Sequence, residues 1–407
     1  LGNTALDSVT SGTRLTAIGS NALTAATSGN YSVAVGSNAL ASATTATFNT
    51  AVGDYALQAA TGGSNTGIGA AALYSTTSGQ YNTALGHSAL QANTTASNNT
   101  AVGYQSLYAN TTGTKNVALG YNTLSANTTG TSNVGIGSNA LDANTTGIKN
   151  VAIGEFALTN STTTSNNTAV GHSALRANTA GKNTAVGYLA LDANTTGTNN
   201  VALGYQSLDA NTTASNNTAL GYVALGSNTT GAFNLAVGSN ALTANTTASS
   251  NTALGHASLQ AATTGGNNVA VGTSSQILTT TGGSNVSVGT QAMRNNTTGQ
   301  ENVGVGYQVL YTNSTGVNNV AMGRRALYLN VASNNTALGH QSLYNNSSGA
   351  NNTAVGLSAL QANTTGASNV AVGALALDAN TTASNNTAVG DGSLGANTTG
   401  GDNTAVG

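Results

Sequence analysis

The 407-residue sequence contains no cysteine, proline or tryptophan, and only 4% of its residues are charged. The absence of cysteine excludes a disulfide scaffold. Eight Lys and Arg residues and a formal net charge of −2 exclude a basic nucleic-acid-binding protein, which needs clustered cations to neutralise phosphates. The low net charge also argues against a charge-expanded disordered chain. Apolar residues make up 39% of the sequence but are interrupted throughout, so no run of about 20 could span a membrane.

What the sequence does contain is a tandem repeat. The pattern Asn-Thr/Val-Ala-Val/Leu/Ile-Gly recurs from end to end, and its 25 glycines, here called signature glycines, run from Gly2 to Gly407. All but three of the intervals between them have the same length, that of Gly19 to Gly36, and those three are one residue shorter. We define a coil as one signature glycine and the residues before the next. We expect residues 1–407 to form a single continuous repeat solenoid, a segment of a longer fibrous protein.

The three short intervals locate a turn. They are 53–69, 171–187 and 323–339, and each lacks one residue from the Thr/Gly/Ser/Asn-rich stretch that precedes the Asn of the pattern. Because length variation is tolerated in loops, this stretch is predicted to be a turn and the rest of the coil the framework.

Large and small side chains alternate around each signature glycine. The preceding residue is always apolar, the residue before that is Ala, Gly or Ser, and Leu usually follows four residues after the glycine. Period-two alternation predicts strands, so we expect two per coil, over Thr/Val-Ala-Val-Gly and around Ala-Leu-x-Ala. Stacking of the coils predicts an all-β protein: a parallel β-solenoid, or β-roll, of about 24 coils with 17 residues per coil. At a rung spacing of about 4.8 Å, it would be roughly 115 Å long.

We expect the large aliphatic side chains to point inward and the Ala and Gly residues between them to form a bare outward strip. The predicted core residues are Leu90, Val102, Leu107, Leu119 and Leu124. Asn stands four residues before the signature glycine in 22 of 24 coils, and identical amides on successive rungs can hydrogen-bond along the axis. This predicted structural Asn ladder contains Asn82, Asn99, Asn116, Asn133 and Asn150. A second Asn column begins at Asn93, seven residues after the signature glycine.

The position directly after the signature glycine varies and is predicted to be an exposed corner. It holds all four His residues, which are five coils apart, about 24 Å, and so cannot share a metal within one chain. In one interpretation, three copies of one His, one from each chain, meet around a trimer axis. In the interpretation that we favour, the His residues simply occupy a variable exposed corner. Six Tyr residues there form either an exposed contact column that stacks on sugars or an amphipathic cover of the corner: Tyr104, Tyr121, Tyr188, Tyr205, Tyr222 and Tyr307.

No catalytic or metal-binding pattern stands out. Ten acidic residues are too few for the carboxylate array of a calcium-binding β-roll. Ser, His and Asp occur, but nothing pairs a nucleophile with a base and an orienting group. We therefore expect neither an enzyme nor a metal or other cofactor.

Segments 32–36, 116–120 and 150–154 read Ser-Val-Ala-Val-Gly, Asn-Val-Ala-Leu-Gly and Asn-Val-Ala-Ile-Gly. They resemble the head repeat of trimeric autotransporter adhesins and, equally, repeats in phage tail-fibre shafts. The adhesin resemblance implies a left-handed parallel β-roll, three chains side by side and binding to host surfaces. The coil of this sequence is longer than the one usual in the adhesin head.

These features favour a non-enzymatic structural protein that forms a rigid rod in an extracellular fibre or filament, at a cell or virion surface. Its expected partner is itself, by lateral packing through the Ala/Gly strip and by end-to-end stacking. One alternative is an adhesin head that binds a cell-surface or glycan receptor. Another is an ice-binding solenoid, which needs an outward Thr column. The Thr three residues before the signature glycine alternates with Val in ten coils, which favours burial and argues against ice binding. We expect no nucleic-acid partner and no membrane span.

Overall fold

The computed structural model describes residues 3–407 and divides the chain into two compact units, Leu1–Asn200 and Val201–Gly407. Each unit is a parallel β-solenoid of stacked coils, as predicted. Among the described residues there is no helix, and hence none long and apolar enough to cross a membrane.

Every strand is three residues long and ends at the apolar residue before a signature glycine. The strands of the first unit are β1 (Thr16–Ile18), β2 (Val33–Val35), β3 (Thr50–Val52), β4 (Thr66–Ile68), β5 (Thr83–Leu85), β6 (Thr100–Val102), β7 (Val117–Leu119), β8 (Val134–Ile136), β9 (Val151–Ile153), β10 (Thr168–Val170) and β11 (Thr184–Val186). Those of the second unit are β12 (Val201–Leu203), β13 (Thr218–Leu220), β14 (Leu235–Val237), β15 (Thr252–Leu254), β16 (Val269–Val271), β17 (Val286–Val288), β18 (Val303–Val305), β19 (Val320–Met322), β20 (Thr336–Leu338), β21 (Thr353–Val355), β22 (Val370–Val372), β23 (Thr387–Val389) and β24 (Thr404–Val406).

Consecutive strands within each unit pair in parallel and in register. In the β6–β7 pair, Thr100 lies opposite Val117, Ala101 opposite Ala118 and Val102 opposite Leu119. Parallel neighbours need a crossover of a dozen or more residues, and the rest of each coil supplies it. The repeat length therefore places equivalent residues of successive coils directly above one another.

The prediction of a second strand around Ala-Leu-x-Ala is wrong, because this segment is a turn. In the coil that begins at Gly103, Gln105 and Leu107 have φ values of 51° and 52°, in the left-handed region. That conformation costs a non-glycine residue about 1–2 kcal/mol. Leu107 is completely buried, and burial of such a side chain contributes about 1.5–3 kcal/mol, which offsets the strain. The Leu column thus reaches the core from a turn.

The predicted direction of the strand side chains is also wrong. Ala118, in the middle of β7, is fully buried, whereas Val117 and Leu119 on either side are 38% and 45% exposed. Leu119 therefore lies outside the core, and Val102 is only partly buried. The other predicted core residues, Leu90, Leu107 and Leu124, are fully buried.

The interior is too narrow for the predicted arrangement. A methyl group added to Gly135, in the middle of β8, would lie 2.7 Å from Thr123 Cγ2 and 3.3 Å from Leu124 Cδ1. A methyl group on Gly67 would lie 3.2 Å from Leu57 Cγ. The Leu side chains from the turns already fill this space, so the strands contribute only Ala, Gly or Ser. The Ala/Gly strip consequently faces inward and is not available to a second copy.

Candidate interaction surfaces

Two internal Asn columns hold the rungs together. The five predicted ladder residues, Asn82 to Asn150, are all buried. The Oδ1 atom of Asn99 accepts a hydrogen bond from the backbone N–H of Asn116 at 2.9 Å, and Nδ2 of Asn116 donates to the Gly130 carbonyl at 2.8 Å. Direct amide-to-amide bonds also occur, as from Asn150 Nδ2 to Asn133 Oδ1 at 3.2 Å. Each of these Asn residues is thus bonded to both neighbouring coils, through its side chain to the next coil and through its backbone N–H to the previous one.

The second Asn column forms another ladder, a role that sequence reasoning left unassigned. Asn110 Nδ2 donates to Asn93 Oδ1 at 3.1 Å, and Asn127 Nδ2 donates to Asn110 Oδ1 at 2.8 Å. Asn110 Nδ2 also donates to the Gly113 carbonyl within its own coil, at 3.0 Å. The recurrence of Asn at one position of successive coils was the available signal. These bonds satisfy polar groups that would otherwise be costly inside the solenoid.

An uncharged surface with many exposed aliphatic side chains lies on the outside of the strands. We call it the strand face and define it as the first and third residue of each strand. The first residue is Thr, Val or Leu and the third is Val, Leu, Ile or Met, and no strand in the described residues carries a charge. Ile18, Leu85 and Met322 are 51%, 46% and 54% exposed. The alternation of large and small residues in the sequence is the signal for this face, but it does not indicate which side of the strand is exposed.

The strand face of each unit is large for an exposed apolar patch. A three-residue strand is about 10 Å long and rungs are about 4.8 Å apart, so the eleven strands of the first unit cover roughly 500 Å². The thirteen strands of the second unit cover slightly more, roughly 600 Å². The largest apolar patch of a typical monomeric protein covers about 300–600 Å² and is often functional, so the strand face, which includes Thr positions, is a candidate interaction site.

The predicted Tyr contact column lies on the surface, with exposures between 43% for Tyr104 and 54% for Tyr222. Tyr121, Tyr188, Tyr205 and Tyr307 fall within this range. The rings of Tyr104 and Tyr121 are stacked, with centroids 5.5 Å apart and planes 10° apart. Tyr205 and Tyr222 stack in the same way at 5.3 Å. Stacking turns ring faces toward each other along the axis and leaves mainly edges outward, which disfavours stacking on sugars at these pairs.

A second aromatic column was missed by sequence reasoning. Tyr311, Tyr328 and Tyr344 stand five residues after successive signature glycines, and both ring pairs are stacked at 5.1 Å. The Arg325 guanidinium lies 5.5 Å from the centroid of the Tyr328 ring. The sequence signal was the recurrence of Tyr at intervals of one coil. These rings stabilise each other as cross-strand aromatic pairs do.

His87, His172 and His256 are exposed at this corner, and His340 is partly exposed. His87 stacks on Tyr104 at 5.5 Å, and His172 Nε2 lies 3.9 Å from the Glu155 carboxylate. Within residues 3–407 no group of three or more His, Asp or Glu residues is placed to hold a metal ion.

Comparison of the chain with protein-family models and with curated protein sequences finds no match.

Proposed function

We propose that this protein is a non-enzymatic structural element, a solenoid rod that packs laterally against copies of itself in an extracellular fibre or filament. The observation that carries the proposal is the strand face: an apolar, uncharged surface that each unit repeats on every rung. The resemblance of the repeats to adhesin heads and tail-fibre shafts agrees with such a role at a cell or virion surface.

A second copy of this chain is the partner that fits the strand face best. Two such faces carry no charges to desolvate, and their side chains repeat at the same rung spacing in both molecules. Pairing of one unit's face with its counterpart would bury roughly 1,000 Å² in total, which is the lower limit for a biological interface. The Val, Leu and Ile columns would interdigitate as in two packed sheets.

The two Asn ladders support the mechanical part of the proposal. They add side-chain hydrogen bonds along the axis to those of the backbone, as between Asn116 and the coils on both sides of it. A rod built this way resists bending and local opening because each coil is held by its neighbours.

Self-association can be tested by adding charge to the strand face. The double variant Leu85→Lys, Leu119→Lys changes two exposed side chains of the face, and the control Thr95→Lys, Thr112→Lys adds the same charge on exposed turn positions. Sedimentation velocity should show oligomers for the wild type and the control, and monomers for the strand-face variant. Circular dichroism should show that all three remain folded. A monomeric wild type, or an equal response of the two variants, would refute the proposal.

Ice binding is a second candidate because one argument against it no longer holds. The Thr three residues before the signature glycine faces outward, as at Thr83 and Thr100, and is not buried. The strand face thus presents outward Thr hydroxyls at regular rung spacing, interrupted by Val. Thermal hysteresis of the monomeric strand-face variant and of the wild type decides between the roles. A freezing gap shown by the wild type alone would favour ice binding.

A further inference from the structure

A notch lies in the turn surface of the unit Leu1–Asn200. Its volume is about 310 Å³, and it is lined by Ser165, Asn166, Gly181, Lys182, Thr198 and Asn199. These six residues come from equivalent turn positions of three successive coils.

A one-residue deficit accounts for the notch. The middle coil, which begins at Gly171, is one residue shorter than the coils before and after it, and the missing residue belongs to this turn. The turns of the longer coils on either side therefore form two walls, and Gly181 and Lys182 form the floor. Lys182 is joined to the coil below by a hydrogen bond from its N–H to the Ser165 carbonyl at 3.2 Å. A side chain at Gly181 would place its Cβ only 2.8 Å from the Ser165 carbonyl oxygen, so glycine keeps the floor open.

The notch is polar and carries one positive charge. Lys182 is its only charged residue, its side chain is exposed, and no carboxylate in the described part of the chain forms an ion pair with it. In the walls, Ser165 Oγ accepts from the Ile148 N–H at 3.0 Å, and Asn199 Nδ2 donates to Thr198 Oγ1 at 3.2 Å. The exposed Asn166 amide can donate to and accept from a ligand's hydroxyl groups. This combination fits a small polar anion better than an apolar ligand.

The other two lysines of the sequence lie in register with Lys182. Lys115 and Lys149 occupy the equivalent turn position, and all three have left-handed backbone conformations, with φ values of 60°, 57° and 64°. Their side chains therefore leave the coil in equivalent directions. Successive lysines are two coils apart, about 9.6 Å, and the intervening residues, Ser132 and Asn166, are uncharged. Neither Lys115 nor Lys149 forms an ion pair within residues 3–407.

We propose that this lysine row, Lys115, Lys149 and Lys182, binds a linear polysaccharide that carries a carboxylate on every second sugar, with one acidic sugar seated in the notch. In an extended polysaccharide, every second ring recurs at nearly the interval of the lysines. Nucleic acid fits poorly because its phosphates follow one another at about 3.4 Å per strand along a duplex. This inference is independent of self-association through the strand face.

The test is binding of short hyaluronan oligosaccharides to the full chain, measured by isothermal titration calorimetry at low and high ionic strength. An oligosaccharide that spans all three lysines, about 20 Å, should bind, and binding should weaken with salt. Lys182→Gln should lower the affinity for the oligosaccharide about fivefold, because it removes one exposed charge pair. The triple Lys→Gln variant should abolish binding. The matched control, Arg324→Gln, removes one positive charge from the other unit and should leave the affinity unchanged.

Four results would overturn the proposal. They are absence of hyaluronan binding at low salt, equal binding of neutral dextran, an equal loss of affinity in Arg324→Gln, and binding of free glucuronate as tight as that of the oligosaccharide. The first three would show that the lysine row does not bind an acidic polysaccharide. The last would show that the spacing of the lysines does not contribute to binding. Self-association of these variants, followed by sedimentation velocity, should remain that of the wild type.

Discussion

Replacement of Asn116 by Ala tests whether the buried amides bind the coils together. The Asn116 side chain accepts a hydrogen bond from the backbone N–H of Asn133 at 3.0 Å and donates one to the Gly130 carbonyl at 2.8 Å. Both bonds reach the next coil, and Asn133 is fully buried. The variant would leave one buried donor, the Asn133 N–H, without a partner, whereas the Gly130 carbonyl would still accept from Asn127 Nδ2 at 3.1 Å. Such a group costs about 1–3 kcal/mol, so coil-to-coil stability should fall by about that amount.

The loss should be local, because each coil of a solenoid contacts only its neighbours. Hydrogen exchange read by mass spectrometry is the suitable assay, since it reports opening segment by segment. Backbone amides of β7 and β8 should exchange at least about fivefold faster in Asn116→Ala, and those of β1 to β3 should be unchanged. Asn116→Asp should accelerate exchange at least as much as Asn116→Ala, because its carboxylate can accept from Asn133 but would bury a charge against the Gly130 carbonyl oxygen.

The control is Thr112→Ala, which shortens an exposed turn side chain of the same coil. It should leave exchange within a factor of about two of the wild type, as surface substitutions usually do. If Asn116→Ala also left exchange unchanged, the ladder would contribute nothing to coil cohesion. If remote and neighbouring strands opened equally, the solenoid would unfold as one body and the nearest-neighbour reasoning would be refuted.

Further predictions concern the same coil. Gly103→Ala should prevent correct stacking of the coils, because Gly103 has φ 130° and an added Cβ would lie 2.3 Å from the Gly120 carbonyl oxygen. Loss of the β signal in circular dichroism, or aggregation, would show this defect. Leu107→Ala should lower the free energy of unfolding, measured by urea denaturation, by about 2–5 kcal/mol. Leu119→Ala, on the exposed strand face, should change that free energy by less than about 1 kcal/mol. Equal effects of the two would contradict the assigned orientation. Ala118→Leu should destabilise the fold by about 1–3 kcal/mol through overpacking, and an unchanged urea midpoint would show that the interior is wider than described.

Much of the architecture could be predicted from the order of residues. The spacing of the signature glycines defined the coil, and parallel stacking followed because identical residues one coil apart can pair in register. The three shortened intervals located the turn, since only a turn tolerates loss of a residue. The column that contains Asn116 indicated a ladder because an amide can both donate and accept, and one stands on almost every rung.

The direction in which the strand side chains point could not be read this way. Alternation of Val117, Ala118 and Leu119 is equally compatible with either face being inside, since a shift of one residue exchanges the faces. The choice depends on volume. Leu107 enters from a turn with an unusual backbone conformation and fills a narrow coil, so only the methyl group of Ala118 fits beside it. Leu119 must then lie outside, where it forms part of the apolar face. Periodicity records that two faces differ, and only packing in three dimensions determines which of them meets water.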